Sequence, residues 1–183
     1  MRKARFAIFP LTAACLLLAG TSSAQAPAAK APAKTPAASS SPKVYGNLAQ
    51  VMRGILFPAS NVIFAAQNED PSKVPPAKDP ALATDPLANS YGGWQAVENA
   101  AIALSESANL LIIPGRKCLN GRPVPINNPD WPKFVQGLRD AGDKAYKAAQ
   151  AKDMDKILDA ADTMTTACSN CHDKYREKTP RCQ

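Results

Sequence analysis

Two cysteines and a histidine near the C-terminus form the motif with the most specific chemistry in the chain. Cys168 and Cys171 are three residues apart and His172 follows directly, which gives C-x-x-C-H, the attachment sequence of c-type haem. Positions three apart share a helix face, so both thiols can form thioethers with the two vinyl groups of one porphyrin. The histidine then lies beneath the ring as the proximal iron ligand. His172 is the only histidine in the 183 residues, so no other residue can supply an imidazole ligand.

Three other uses of these cysteines compete with haem attachment. A redox dithiol normally follows a strand and sits at a helix N-terminus, whereas this motif lies near the end of a helical pattern. Zinc could recruit Cys168, Cys171 and Cys182, but no second closely spaced pair completes a tetrahedral set. A disulfide within the motif would strain a helix. One covalently bound haem c is therefore the predicted cofactor.

Cys118 and Cys182 remain once the motif and Cys15, in the N-terminal apolar stretch, are set aside. Both lie in segments without helical periodicity. An even leftover pair in an oxidising compartment indicates a disulfide, with two free thiols as the alternative. The bond would join the loop before the third predicted helix to the C-terminal tail and close a long loop of chain.

The N-terminus has the features of an export signal. Residues 1–24 combine a basic start, a short apolar stretch and small residues before a predicted cleavage after Ala24, as in a secretory signal peptide. The apolar stretch is short and contains Pro10, so an uncleaved anchor is the less favoured alternative. Residues 25–43 are rich in Ala, Pro, Ser, Thr and Lys and predict a disordered spacer. We therefore expect a periplasmic protein whose domain, residues 44–183, has no membrane span.

The net charge of the chain does not support nucleic-acid binding. There are 22 Lys and Arg residues against 15 Asp and Glu, a net charge of +7 at pH 7. Six of the basic residues and none of the acidic ones precede Val44, so the predicted domain carries +1. A domain so close to neutral lacks an overall basic balance that would attract nucleic acid.

Apolar residues recur at helical spacing in four segments, and no stretch alternates convincingly with a period of two. The predicted helices cover about residues 44–67, 94–113 and 131–151 and then the segment that follows Asp153 as N-cap. Pro58 lies inside the first and predicts a kink or a break. Residues 128–130 offer capping groups for the third.

Four helices of about 20 residues would each span roughly 30 Å, the length scale of a four-helix bundle. Two proline-rich connections, residues 68–90 and 116–129, separate the first three helices. The predicted fold is an all-α four-helix bundle with long connections, in which the C-terminal helix carries the haem attachment motif. A different all-α packing is the alternative.

Residues 167–177, ACSNCHDKYRE, resemble the haem attachment segment of class II c-type cytochromes, the cytochrome c′ and c-556 type. That family has C-x-x-C-H on the last helix of an exported four-helix protein. The helical layout of residues 44–178 is similar more loosely. The proline-rich connections and the Cys118 and Cys182 pair depart from the compact bundles of the family. The resemblance implies that the first helix passes over the distal face of the haem.

The resemblance also implies two forms of the iron site. In the c-556 type a methionine of the first helix is the sixth ligand, and in the c′ type a non-ligating side chain leaves the iron five-coordinate. Met52 lies about two turns into the first predicted helix, on its apolar face, and is the candidate distal ligand. A plain core role for Met52 is the alternative.

The predicted function is one-electron transfer by an exported cytochrome, because His/Met coordination raises the reduction potential and blocks small ligands. No paired carboxylates or activated nucleophile indicate an enzyme. The alternatives are a five-coordinate module that binds nitric oxide or carbon monoxide, and a haem subunit of a larger exported oxidoreductase. The expected partner is a redox protein of the periplasm, and the sequence leaves a homodimer open.

Overall fold

The computed structural model describes residues 42–176 and Cys182. The predicted signal peptide and nearly all of the predicted spacer lie outside the described residues. Within the described part of the chain the regular elements are helices, no strand occurs, and the β structure is an isolated bridge between Lys117 and Pro123. The all-α class is confirmed for these residues.

Four long helical elements follow one another along the chain. Helix α1 combines an α-helical turn Leu48–Val51, a π-helical segment Met52–Leu56 and an α-helical segment Phe57–Ala65. Helix α2 spans Gly93–Ser107 and continues as the 3-10 turn Ala108–Ile112. Helix α3 spans Trp131–Ala151 and helix α4 spans Met154–Tyr175. The connection between α1 and α2 contains the 3-10 turns Pro71–Lys73 and Pro80–Leu82.

The junction between α3 and α4 follows directly from local sequence signals. Lys152 ends α3 in the left-handed conformation, with φ of 50°. Asp153 then caps α4 as predicted, because its side chain accepts a hydrogen bond from the Lys156 amide at 3.1 Å. So short a connection makes the two helices antiparallel neighbours.

Pro58 changes the helix type of α1 without ending the helix. Proline cannot donate to the carbonyl four residues back. The residues before it form the π segment, in which the Phe57 amide donates to the Met52 carbonyl. Such π segments are often found at functional sites. The kink or break expected at Pro58 is therefore a π segment that begins at Met52.

The helices pack in sequence, α1 on α2, α2 on α3 and α3 on α4, and α4 also contacts α1. The α2–α3 and α3–α4 interfaces are the most extensive, and α1 contacts α4 mainly through Phe57–Ala65. Small side chains allow the close approach of α2, α3 and α4. Their fully buried alanines are Ala101, Ala141, Ala145, Ala160 and Ala161.

Candidate functional site

A cavity of about 540 Å³ lies between α1, the start of α3 and the end of α4. Its volume falls in the range of roughly 300–1,000 Å³ that is usual for small-molecule sites. Most of the side chains around it are apolar. They include Leu48 and Leu56 of α1, Leu104 of α2, and Trp131, Phe134 and Leu138 of α3.

All three residues of the C-terminal motif line this cavity. Cys168, Cys171 and His172 lie on the last two turns of α4, and each is partly buried. The two cysteines carry free thiols. The helix therefore brings two thiols and one imidazole to the same wall, as the i, i+3 spacing predicts.

Met52 lines the same cavity from α1. It is partly buried and is the first residue of the π segment. The other methionines of the described chain, Met154 and Met164, belong to α4 and are not among the residues that line the cavity. The structure thus brings together the four residues that the sequence singles out for an iron site.

Burial changes the acidity of the two thiols in the direction that disfavours a redox dithiol. Removal from water raises the pKa of Cys168. The pKa of Cys171 rises to about 11, because of burial first and then the charges of Cys168 and Asp130. A redox dithiol needs a stabilised thiolate at a helix N-terminus. These thiols lie at the opposite end of their helix and stay protonated at neutral pH.

The structure also removes the third ligand of the alternative zinc site. Cys182 lies at disulfide distance from Cys118, with the two Cα atoms 4.9 Å apart. This is the pair that the sequence predicts. Among the residues that the structure describes, no group of three His, Cys, Asp or Glu side chains is placed to hold a metal ion.

Charged side chains around the cavity are basic. Arg53 of α1 and Arg176, just after α4, line it, and no Asp or Glu is among the described lining residues. The Arg176 Nη1 atom lies 3.2 Å from Nδ1 of His172. A ligand with carboxylate groups would meet two guanidinium groups there, and guanidinium forms strong charge-assisted hydrogen bonds with carboxylates.

A hydrogen-bonded cluster joins the start of α3 to the end of α4 beside the cavity. The Tyr175 hydroxyl donates to Asp130 at 2.6 Å and accepts from Asn128 at 3.1 Å. Lys174 pairs with the same carboxylate. The hydrogen bonds from Lys174 and Tyr175 lower the pKa of Asp130. The Tyr175 ring also packs edge-on against Trp131, with centroids 4.9 Å apart.

Residues 128–130 were expected to supply capping groups for α3, and the cluster shows a different role for the Asp130 side chain. Asp130 occupies the N-cap position of α3, but its side chain forms no capping hydrogen bond. The carboxylate is instead held by Tyr175 and Lys174 of α4. Sequence reasoning missed the cluster because its two halves, residues 128–130 and 174–175, are more than forty residues apart, and no local pattern links them.

The cavity also accounts for the composition of α1. Leu48–Ala65 has a mean hydropathy of 1.3, and by length and composition it is the one described helix that could cross a membrane. Only 33% of it is buried. Part of its apolar surface lines the cavity, including Phe57, which is 63% exposed. A mostly apolar lining of this kind is usual in small-molecule sites.

The lining of the site thus includes both thiols and the imidazole from α4, and Met52 from α1. Apolar side chains of α3 complete it. No family model matches the chain, and comparison with curated proteins and with solved structures finds no similar one.

Proposed function

We propose that this chain is an exported c-type cytochrome that carries one covalently attached haem and transfers single electrons. The proposal depends on one observation: Cys168, Cys171, His172 and Met52 line the same apolar cavity. Two neutral thiols, an imidazole and a thioether in an apolar space form the donor set of a haem c site. They suit neither zinc nor a redox dithiol.

When bound, haem supplies an iron atom that alternates between the ferrous and ferric states. Cys168 and Cys171 would hold the cofactor through thioethers, and His172 would bind the iron through its imidazole. Met52 would bind the iron through its thioether, which would raise the reduction potential and exclude small ligands.

The surrounding residues would tune the site by excluding water and by neutralising charge. The apolar side chains of α1 and α3 lower the local dielectric, which disfavours the more highly charged ferric state and raises the potential. Arg53 and Arg176 offer cations to the carboxylates of the porphyrin. In this proposal the cavity is filled by the cofactor and leaves no separate pocket for a substrate, which suits an electron carrier.

The packing order of the helices supports the finer fold assignment. Each long helix contacts its neighbour in sequence, and α4 contacts α1. We therefore propose a four-helix bundle of the class II cytochrome type with α4 as the haem attachment helix. A redox protein of the periplasm remains the proposed partner.

A gas-binding module is the second candidate, and one observation favours it. Leu48, Leu56 and Phe57 lie near Met52 in sequence and line the same cavity. If Met52 does not bind the iron, these side chains leave an open and apolar distal pocket, which suits nitric oxide or carbon monoxide.

The first experiment asks whether haem is covalently bound. The full chain is produced in a periplasm with a c-type haem maturation system, and the denatured polypeptide is stained for haem peroxidase activity. We expect colour on the wild-type band and on a Cys118→Ala/Cys182→Ala control, and none on Cys168→Ala/Cys171→Ala. An uncoloured wild-type band contradicts the proposal.

The second experiment decides between the two candidates. A low-spin ferric spectrum with a methionine–iron charge-transfer band that Met52→Ala abolishes supports the electron carrier. Met154→Ala, which changes a partly buried methionine of α4, is the matched control and should leave the band intact. A high-spin spectrum that Met52→Ala does not change supports the gas-binding module.

A further inference from the structure

The half of α1 that carries Met52 needs an anchor outside α4. Helix α1 contacts α4 mainly through Phe57–Ala65. Residues 52–56 pack on α2 instead, and Leu48, Met52 and Leu56 line the cavity. A ligand to iron must be held to within a fraction of an ångström, so the position of this half-helix matters.

The loop between α2 and α3 holds the beginning of α1. The Leu48 amide donates to the Lys117 carbonyl at 2.8 Å. The Arg116 Nη1 atom donates to the Gly46 carbonyl at 2.6 Å. These two bonds fix the first turn of α1, whose own cap is the reciprocal pair Asn47 and Gln50.

Arg116 is a buried guanidinium that joins the residue before the N-cap of α1 to the end of α2. It is 5% exposed, and its Nε atom donates to the Leu110 carbonyl at 2.9 Å, in the 3-10 turn that ends α2. None of the ion pairs among the described residues involves Arg116. A buried charge is costly unless its donors are satisfied, so the position of Arg116 depends on both carbonyls.

The same loop is tied to the end of α4. Cys118 is 2% exposed and bonded to Cys182. The Cys182 amide donates to the Tyr175 carbonyl at 2.8 Å. Tyr175 is the last residue of α4, one turn after His172. A continuous set of bonds therefore runs from the first turn of α1 through the loop to the helix end that carries the motif.

From these contacts we infer that residues 116–124 form a clamp that positions Met52 relative to His172, with Arg116 and the Cys118–Cys182 disulfide as its positioning groups. The inference rests on the proposed function, because the clamp sets iron coordination only if both residues bind one iron atom. It predicts that opening the clamp frees residues 48–56 and removes Met52 from the iron, while the haem stays attached to α4.

The test compares amide hydrogen exchange in the full-length haem protein and in two clamp variants, Cys118→Ala/Cys182→Ala and Arg116→Met. We expect exchange across residues 48–56 to accelerate at least tenfold more than exchange in α3, where only the loss of global stability contributes. Arg122→Met, an exposed arginine of the same loop, is the matched control and should behave as wild type. If one clamp variant does not fold, the other still decides the question.

The ferric absorption spectrum supplies a readout that a merely structural role would not change. In both clamp variants we expect the methionine–iron band to fall at least fivefold, with haem still covalent on a denaturing gel. Unchanged exchange in residues 48–56, or equal acceleration in all four helices, overturns the clamp. Faster exchange with an unchanged band overturns it too, because Met52 is then positioned without the loop.

Failure of the proposed function gives a different result. A denatured wild-type polypeptide without haem, or a high-spin wild-type spectrum unchanged by Met52→Ala, contradicts the iron site itself. The contacts of the clamp are all within the polypeptide, so exchange of residues 48–56 can also be compared in the apoprotein. In that case the clamp is tested by exchange in the two apoprotein variants against Arg122→Met.

Discussion

The two ends of the α3–α4 pair are built differently although the same helices form both. At one end, which we call the packed end, α3 and α4 meet through side chains that are at most 1% exposed, namely Ala141, Ala145, Ala148, Ile157 and Ala161. At the other, the cavity end, Phe134, Cys168 and Cys171 are only partly buried around about 540 Å³ of space.

The difference shows which half of the domain completes its own core. Small side chains at the packed end let the helix backbones approach and are almost fully buried between them, as in a close-packed protein interior. At the cavity end, larger apolar side chains border space and lack contact partners on one side. A half with a filled core and a half with an apolar cavity are consistent with the cofactor carrier proposed above.

At the cavity end, the disulfide should make the largest single contribution to the free energy of unfolding. Its two cysteines are 64 residues apart in sequence, and closing a loop of that size stabilises the folded state by about 4 kcal/mol. We expect Cys118→Ala/Cys182→Ala to lose about that amount in urea unfolding of the apoprotein. The Cys168→Ala control keeps the disulfide and should lose less than about 1 kcal/mol. Equal losses in the two variants would contradict this role.

Truncating one methionine at each end compares how tightly the packed end and the cavity end are packed. Met164 of α4 is fully buried, so Met164→Ala should destabilise the apoprotein by about 2–5 kcal/mol. Met52 already borders the cavity, so Met52→Ala should lose less than about 1 kcal/mol in the apoprotein. The measurement is urea unfolding of both variants. A larger loss from Met52→Ala in the apoprotein would mean that the cavity end is packed without a ligand.

The Cys171 thiol should react slowly in the folded apoprotein. Burial raises its pKa from an ordinary value near 9 to about 11, and the thiolate is the reactive form. Alkylation by iodoacetamide at pH 8 should therefore be about 100-fold slower in the folded apoprotein than in urea. Because the folded state binds this proton more tightly, the stabilisation is present below pH 9 and is lost as the pH rises from 9 to 11. Equal alkylation rates in the folded apoprotein and in urea would contradict this, and so would a stability that does not fall between pH 9 and 11.

Alanine substitutions at two glycines of α3 should change the stability least, and with opposite signs at the two ends. A Cβ at Gly142, at the packed end, would overlap the Ser105 hydroxyl and lie 3.1 Å from the Ala101 carbonyl oxygen. Gly142→Ala should cost about 1–3 kcal/mol, as overpacking usually does. A Cβ at Gly137, towards the cavity end, meets only the Ala167 Cβ at 3.9 Å. Gly137→Ala should stabilise by about 0.5–1 kcal/mol through helix propensity. Thermal unfolding of both variants checks the sign, and the same sign for both would contradict the comparison.

Local signals in the sequence were enough for much of the fold. The period of apolar residues gives α3 its observed bounds, Trp131–Ala151, and Asp153 is the cap that its residue type and position predict. The motif residues and Met52 could be chosen as site residues because each has its own chemistry, and the structure places them around one cavity.

Long-range and non-α features could not be predicted in the same way. The π segment at Met52 changes the hydrogen-bond pattern over a single turn, too little to alter the hydrophobic period. Burial of Arg116 depends on the carbonyl of Gly46, which is distant in sequence. An arginine in a proline-rich loop gives no local sign of such a partner, so the clamp is visible only in three dimensions.

The mass of the denatured polypeptide tests most directly whether α4 carries a covalent haem. After production in a periplasm with haem maturation, we predict a chain that begins at Gln25 and is heavier by one haem. The Cys168→Ala/Cys171→Ala variant should have the mass of the polypeptide alone. A wild-type chain of unmodified mass, produced beside a control cytochrome that does receive haem, would contradict the account.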